Sequence, residues 1–170
     1  MEIDKDYVKQ EILTIPGMRE AIRNQNFDEA FRLCRSTKKR QQLAMSLYLA
    51  RVDFLKSLSE IPESLFRGFD SLTEIEIPGN IKSIGDLAFF GTNLEKVTFA
   101  EGLEKIGDGA FAQTKIKEVH LPKSIKELGS SSLGKAVVYC FLNTKAFNNC
   151  TVNDIINEET GELLKDKSER

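Results

Sequence analysis

Ile77-Pro78-Gly79-Asn80-Ile81-Lys82-Ser83-Ile84-Gly85-Asp86-Leu87-Ala88-Phe89 is the first of three versions of one pattern. The second is Phe99-Ala100-Glu101-Gly102-Leu103-Glu104-Lys105-Ile106-Gly107-Asp108-Gly109-Ala110-Phe111. The third is Leu121-Pro122-Lys123-Ser124-Ile125-Lys126-Glu127-Leu128-Gly129-Ser130-Ser131-Ser132-Leu133. The offset is 22 residues each time, since 99 − 77 and 121 − 99 are both 22. Apolar residues recur in fixed slots, and a period in the twenties is the signature of a solenoid: a unit too small to bury its own apolar face stacks on its neighbours and shares a core with them. An earlier copy, Ile61-Pro62-Glu63-Ser64-Leu65-Phe66, stands where Ile84 to Phe89 and Ile106 to Phe111 stand later, with one residue more before the next leucine, as a loop insertion gives.

Between these blocks lie strand-like segments, Leu72-Thr73-Glu74-Ile75-Glu76-Ile77, Leu94-Glu95-Lys96-Val97-Thr98-Phe99 and Ile116-Lys117-Glu118-Val119-His120-Leu121. Side chains alternate along a strand, so the apolar slots point into the coil and the intervening slots point to solvent. Coils stacked about 4.8 Å apart line the outward slots into rows. The rows are Thr73-Glu95-Lys117, Glu74-Lys96-Glu118 and Glu76-Thr98-His120. A fourth strand, Val138-Tyr139-Cys140-Phe141, falls 22 residues after Ile116 (138 − 116 = 22) and leaves Asn143 in the next core slot; Tyr139 is expected to extend the rows beyond Glu118, and Phe141 beyond His120. These rows, Tyr139 included, are the expected partner-binding surface. The competing account is that charges of alternating sign merely neutralise one another across coils. That account suits the second-strand rows best, Lys82-Glu104-Lys126 and Ser83-Lys105-Glu127.

The succession of L-x-x-L-x-L strand, Ile/Leu-Pro, four-residue turn, Ile-x-x-Ile-Gly and Ala-Phe resembles the BspA-like leucine-rich-repeat family over residues 55–143. The resemblance implies an α/β fold, a short leucine-rich-repeat solenoid of 22-residue coils, whose usual work is binding other proteins. The chain departs from the general leucine-rich-repeat pattern in lacking an asparagine ladder, since that slot holds Asn80, then Gly102, then Ser124.

Residues 1–58 carry no repeat and read as helical, an α-helical N-terminal cap covering the open end of the solenoid. Tyr7, Val8, Glu11 and Ile12 fall at helical spacing, and Ile15-Pro16-Gly17 ends that helix because proline lacks the donor and biases its predecessor away from helix. A short helix over Met18 to Asn24 follows, and Asn26-Phe27-Asp28-Glu29 has the form of a capping box. In the longest predicted helix Leu43, Leu47, Ala50, Phe54, Leu55 and Leu58 recur at three- and four-residue steps, giving one apolar face toward the first coil. The solenoid is expected over 59–143 and a C-terminal cap with an acidic tail over 144–170. There Thr144 to Asn149 closes the array, Asn157 to Gly161 turns a hairpin, and the last five residues are expected to be disordered.

The net charge of −2 on 170 residues points to neither a polyanion nor a membrane partner. No apolar run approaches the roughly 20 residues of a membrane span, and the opening residues alternate acid, base and apolar types instead of forming a signal peptide. Cys34, Cys140 and Cys150 lack framework spacing and read as core thiols of a reducing, cytoplasmic compartment. The Asn149-Cys150-Thr151 sequon is then a chance match. His120 is the single histidine, so no histidine dyad or multi-histidine metal site is available, and Gly85, Gly107 and Gly129 repeat with the coils as tight-turn residues and lack a phosphate-binding fingerprint. The expectation is a non-enzymatic protein-protein interaction module, adaptor or inhibitor, with no cofactor and no metal. The alternative is nucleic-acid association through Arg32, Arg35, Lys38, Lys39 and Arg40, five bases within nine residues.

Overall fold

The computed structural model of the protein describes residues 14–24, 26, 29–30, 32–33, 54–70, 72–141 and 154–165. Among the described residues, the short helices α1 (Met18–Arg23) and α2 (Phe54–Ser57) precede ten strands. Second-wall strands β1 (Glu60–Ile61), β3 (Ser83–Ile84), β5 (Lys105–Ile106) and β7 (Glu127–Leu128) pair in parallel, with Glu60, Ser83, Lys105 and Glu127 in one register and Ile61, Ile84, Ile106 and Leu128 in the next. First-wall strands are β2 (Glu74–Ile77), β4 (Lys96–Phe99), β6 (Glu118–His120) and β8 (Val137–Cys140). The pairs β2 with β4 and β6 with β8 are parallel. The result is a solenoid of stacked coils 22 residues apart, as the period predicts.

A file of aromatic rings holds the coils at that spacing. Phe66 stacks on Phe89 at 4.9 Å between centroids with a 5° interplanar angle, and Phe89 stacks on Phe111 at 4.8 Å and 7°. Phe99 meets Phe111 edge-on at 5.8 Å, and Leu133 takes the same repeat slot in the last coil. Phe66, Phe89, Phe111 and Leu133 are buried, together with Ile61, Ile77, Ile84, Leu94, Leu103 and Ile106. The turn between the walls is bonded coil to coil as well: Phe66 N–H donates to Ala88 O, Phe89 N–H to Ala110 O and Phe111 N–H to Ser132 O, at 2.8, 2.8 and 2.7 Å. Asp86 Oδ1 accepts from Asp108 N–H at 2.8 Å, and Asp108 Oδ1 accepts from Ser130 N–H at 2.7 Å, so the turn aspartates form the ladder that the asparagine slot does not supply.

One sequence expectation is refined here and another corrected. Gly85, Gly107 and Gly129 each open a tight turn as expected, their carbonyls accepting from Ala88, Ala110 and Ser132 N–H at 3.3, 3.3 and 3.2 Å, but their own φ is not positive. They are glycines because the preceding coil's backbone lies against them: a Cβ on Gly107 would stand 2.7 Å from Asp86 N and 2.8 Å from Gly85 C. The left-handed position lies two residues on, where Ser64, Leu87, Gly109 and Ser131 have φ of 57, 55, 59 and 51°. The fourth strand is also three residues out of the 22-residue frame, which would have set Val138 opposite Ile116. Val138 pairs with Val119 and Tyr139 with His120, so Tyr139 lies beyond His120, and not beyond Glu118. The cause is a short return. Val119 follows Phe111 by 8 residues, whereas Val138 follows Leu133 by 5 (119 − 111 and 138 − 133). Burial confirms the register, since Val138 and Cys140 face the core and Phe141 is only half-buried.

Beyond the repeats, β9 (Ile155–Asn157) pairs in parallel with β8, and β10 (Leu163–Lys165) returns antiparallel to it. The predicted hairpin thus forms and continues the first wall. Gly161 closes its turn at φ +70°, with its N–H donating to Asn157 O at 2.9 Å.

At the other end, Asn26 Oδ1 accepts from Glu29 N–H at 3.2 Å, an N-cap as expected. The reciprocal half of the capping box is not made: Asn26 N–H donates to Ala21 O, and the Glu29 carboxylate accepts from Arg32. Ile15, Met18, Ala21 and Ala30 are buried within the same core cluster as the coils. Asn80 Nδ2 donates to Leu55 O at 2.7 Å and Leu58 O at 2.6 Å, tying the end of the predicted long helix to the first complete coil. The helix at Tyr7 to Ile12, the body of the long helix, the Thr144–Asn149 closure, Cys34, Cys150 and the last five residues lie outside the described residues.

Candidate protein-binding face

Two walls of short strands offer outward rows, and their electrostatics differ. On the second wall two lysine-glutamate pairs bridge neighbouring coils. Lys126 Nζ donates to Glu104 Oε2 at 2.6 Å, and Lys105 Nζ lies 3.1 Å from Glu127 Oε2. Ser83 Oγ donates to Glu60 at 3.4 Å. Glu60, Glu104 and Glu127 are balanced by Lys82, Lys105 and Lys126, the arrangement of a solvated, self-neutralising ladder.

The hydrogen bond from Lys126, followed by its positive charge, holds the Glu104 carboxyl below the usual carboxylate range. A depressed carboxyl stabilises the fold above the pH at which the unfolded chain titrates it, and that contribution disappears as pH falls through the lower folded-state value. Lys126→Met is therefore expected to raise the Glu104 midpoint and shift its acid-side contribution upward in pH. Carboxyl-carbon NMR titration measures it; an unmoved midpoint would show the contact to be absent in solution.

On the first wall, Glu74 stands opposite Lys96 and Glu76 opposite Thr98. Thr73, Glu74, Glu76, Glu95, Lys96, Thr98, Lys117 and Glu118 are all exposed. Among the described residues none of the charges in that set takes part in an ion pair, although opposite signs are adjacent. The inward slots that hold these strands, Ile77, Val97, Val119 and Leu121, are buried, so the outward side chains are presented by a packed scaffold.

The row ends in a built cluster. His120 stacks on Tyr139 with centroids 4.6 Å apart at 11°. Its Nδ1 lies 3.0 Å from Glu158 Oε1 and 2.9 Å from Oε2, and Lys123 Nζ stands 4.4 Å over the Phe141 ring. Glu158 is a site residue that the period does not reveal, because it belongs to the hairpin outside the 22-residue frame. The Ile155-Ile156 and Leu163-Leu164 runs around Asn157 to Gly161 were the available signal, but nothing in them gives the parallel pairing onto β8.

Among the described residues no group of three or more histidine, cysteine, aspartate or glutamate side chains is gathered to hold a metal ion. None of the helices there is long and apolar enough to cross a membrane. Cys140 is buried in the slot corresponding to Leu121. Of the basic segment, Arg32 bonds through Nε and Nη2 to Glu29, both at 2.7 Å, which holds the Glu29 carboxyl below the usual range. Arg35, Lys38, Lys39 and Arg40 lie outside the described residues.

Compared with known protein families, residues 39–139 match the BspA type leucine rich repeat region, in six copies. That span is 101 of the 170 residues (139 − 39 + 1). Neither the curated proteins nor the solved structures gave a match.

Proposed function

Because the chain belongs to the BspA-type leucine-rich-repeat family, whose solenoids generally mediate contact between proteins, we propose that it is a non-catalytic, cytoplasmic binding module. Its first wall takes up a partner protein, and the module works as an adaptor or as an inhibitor that covers a partner's surface. The observation supporting this reading is the contrast between the walls. One pairs Lys105 with Glu127 and Lys126 with Glu104, and the other leaves its lysines and glutamates available on strands whose opposite face is locked in the core. Unpaired charges on a rigid sheet lose little conformational freedom on binding and steer encounter.

In the same reading, 1–58 forms a helical cap, 59–143 the binding solenoid and 144–170 the distal cap. The cap and the hairpin border the two ends of the first wall and share in recognition. The test replaces Glu76, Thr98 and His120 together (Glu76→Lys, Thr98→Arg, His120→Glu) and compares affinity capture from the native cell, read by mass spectrometry. Capture of the wild-type partner is expected to fall at least tenfold with the far-ultraviolet circular dichroism unchanged. Undiminished capture by the triple variant would remove the first wall as the site.

A further inference from the structure

The outward row that starts at Glu76 changes character along the first wall, which is made of two sheets, β2-β4 and β6-β8-β9-β10, lying side by side. Glu76 stands opposite Thr98, His120 opposite Tyr139, Tyr139 opposite Ile156, and Ile156 opposite Leu163. It is polar at one end and apolar at the other. Tyr139 and Ile156 are half-buried, and Leu163, 53% exposed, is the one exposed large hydrophobic side chain among the described residues. A single exposed leucine is ordinary. Here it prolongs an aromatic-aliphatic row contributed by a hairpin that lies beyond residue 139, where the family match stops.

The charge on the same wall states what can lie there. Glu74, Glu76, Glu95 and Glu118 face solvent against Lys96 and Lys117, an excess of two negative charges, whereas the second wall balances three against three. Six strands from β2 to β10 make five spacings of about 4.8 Å, about 24 Å in all, which an extended segment of about seven residues crosses.

We propose that this row docks a cationic segment of a protein partner. One apolar side chain of the segment seats against Tyr139, Ile156 and Leu163, and its lysines or arginines lie along Glu118, Glu74 and Glu76. The proposal rests on the first wall being the binding face and names the chemistry of what binds it. The apolar anchor supplies affinity by leaving water beside a ring and two aliphatic side chains, and the carboxylates supply orientation.

The probe is a fluorescein-labelled nine-residue peptide with leucine at one end followed by serine and lysine in alternation. It is titrated by anisotropy against the full chain, beside a version with glutamate for lysine and one with serine for leucine. Saturable binding of the first peptide alone is expected. It should weaken at least tenfold in Leu163→Asp and in Glu76→Lys with Glu118→Lys, and stay within twofold in Glu104→Lys with Glu127→Lys, which changes the net charge equally on the other wall. Circular dichroism checks each variant for folding, and Leu163, being exposed, is replaced without opening the core.

Equal binding of the glutamate peptide, equal weakening by the second-wall variant, or absence of saturable binding would each overturn the proposal. So would a concentration-dependent dimer in sedimentation that Leu163→Asp makes monomeric, because the occupant would then be a second copy of this chain. Loss of native capture in the Glu76, Thr98 and His120 variant, together with failure of the peptide, removes the cationic partner and leaves the face. Undiminished capture removes both.

Discussion

Phe89→Ala is expected to cost about 3–5 kcal/mol, the range for a fully buried phenylalanine, out of a total stability on the order of 5–15 kcal/mol. Phe89 is 0% exposed and is the middle ring of the file, stacked on Phe66 at 4.9 Å and on Phe111 at 4.8 Å. Its removal leaves a cavity between two coils and two rings that each lose a partner face. In a solenoid each coil is stabilised by its neighbours, so a defect at the centre divides the array where one at an end only frays it. The midpoint of thermal unfolding is expected to drop by on the order of 10 °C. Phe89→Leu should recover most of the loss, because Leu133 fills the same slot in the last coil and is itself buried. Guanidinium unfolding followed by circular dichroism measures both; a loss under about 1 kcal/mol for the alanine variant would contradict the file as the organising core.

Gly107→Ala is the second large effect, about 2–3 kcal/mol, at the upper end of what overpacking costs. The new Cβ would stand 2.7 Å from Asp86 N and 2.8 Å from Gly85 C, which are backbone atoms and have no rotamer to change. Relief requires the coils to part, and parting them breaks the Asp108 N–H to Asp86 Oδ1 bond of 2.8 Å and the Gly107 N–H to Ile84 O bond of 2.8 Å. A variant with asparagine separates the two possible uses of the glycine. Asparagine tolerates a left-handed turn, so it would be mild if conformation were the need. Here closeness is the need, and Gly107→Asn should cost at least as much as alanine. Denaturation midpoints of the two variants decide between these uses, and an asparagine variant as stable as wild type would show that conformation, and not closeness, is what the glycine supplies.

The repeat itself was legible because stacking writes its constraint into every coil. Ile61, Ile84, Ile106 and Leu128 must each be apolar to close one core, and a single misplaced polar side chain there would be buried without a partner. Three units in register therefore determined the solenoid, the inward and outward slots and the phenylalanine file. The same reasoning located the hairpin at Asn157 to Gly161, since turn residues carry their own signal.

The tertiary structure alone decided what depends on contacts between coils. Tyr139 stands on His120 because the return after Leu133 is three residues short, and only burial of Val138 and Cys140 sets that register. Gly107 is small because a neighbouring backbone lies against it. The alternating charges of both walls look alike in sequence, yet Lys126 reaches Glu104 while Lys96 leaves Glu74 unpaired. The hairpin joins β8 and brings Ile156, Glu158 and Leu163 to the first wall, a pairing outside the 22-residue frame. A period records what each coil demands of itself. Which side chains meet across coils is settled by loop length, register and packing, and the candidate binding face is made of those meetings.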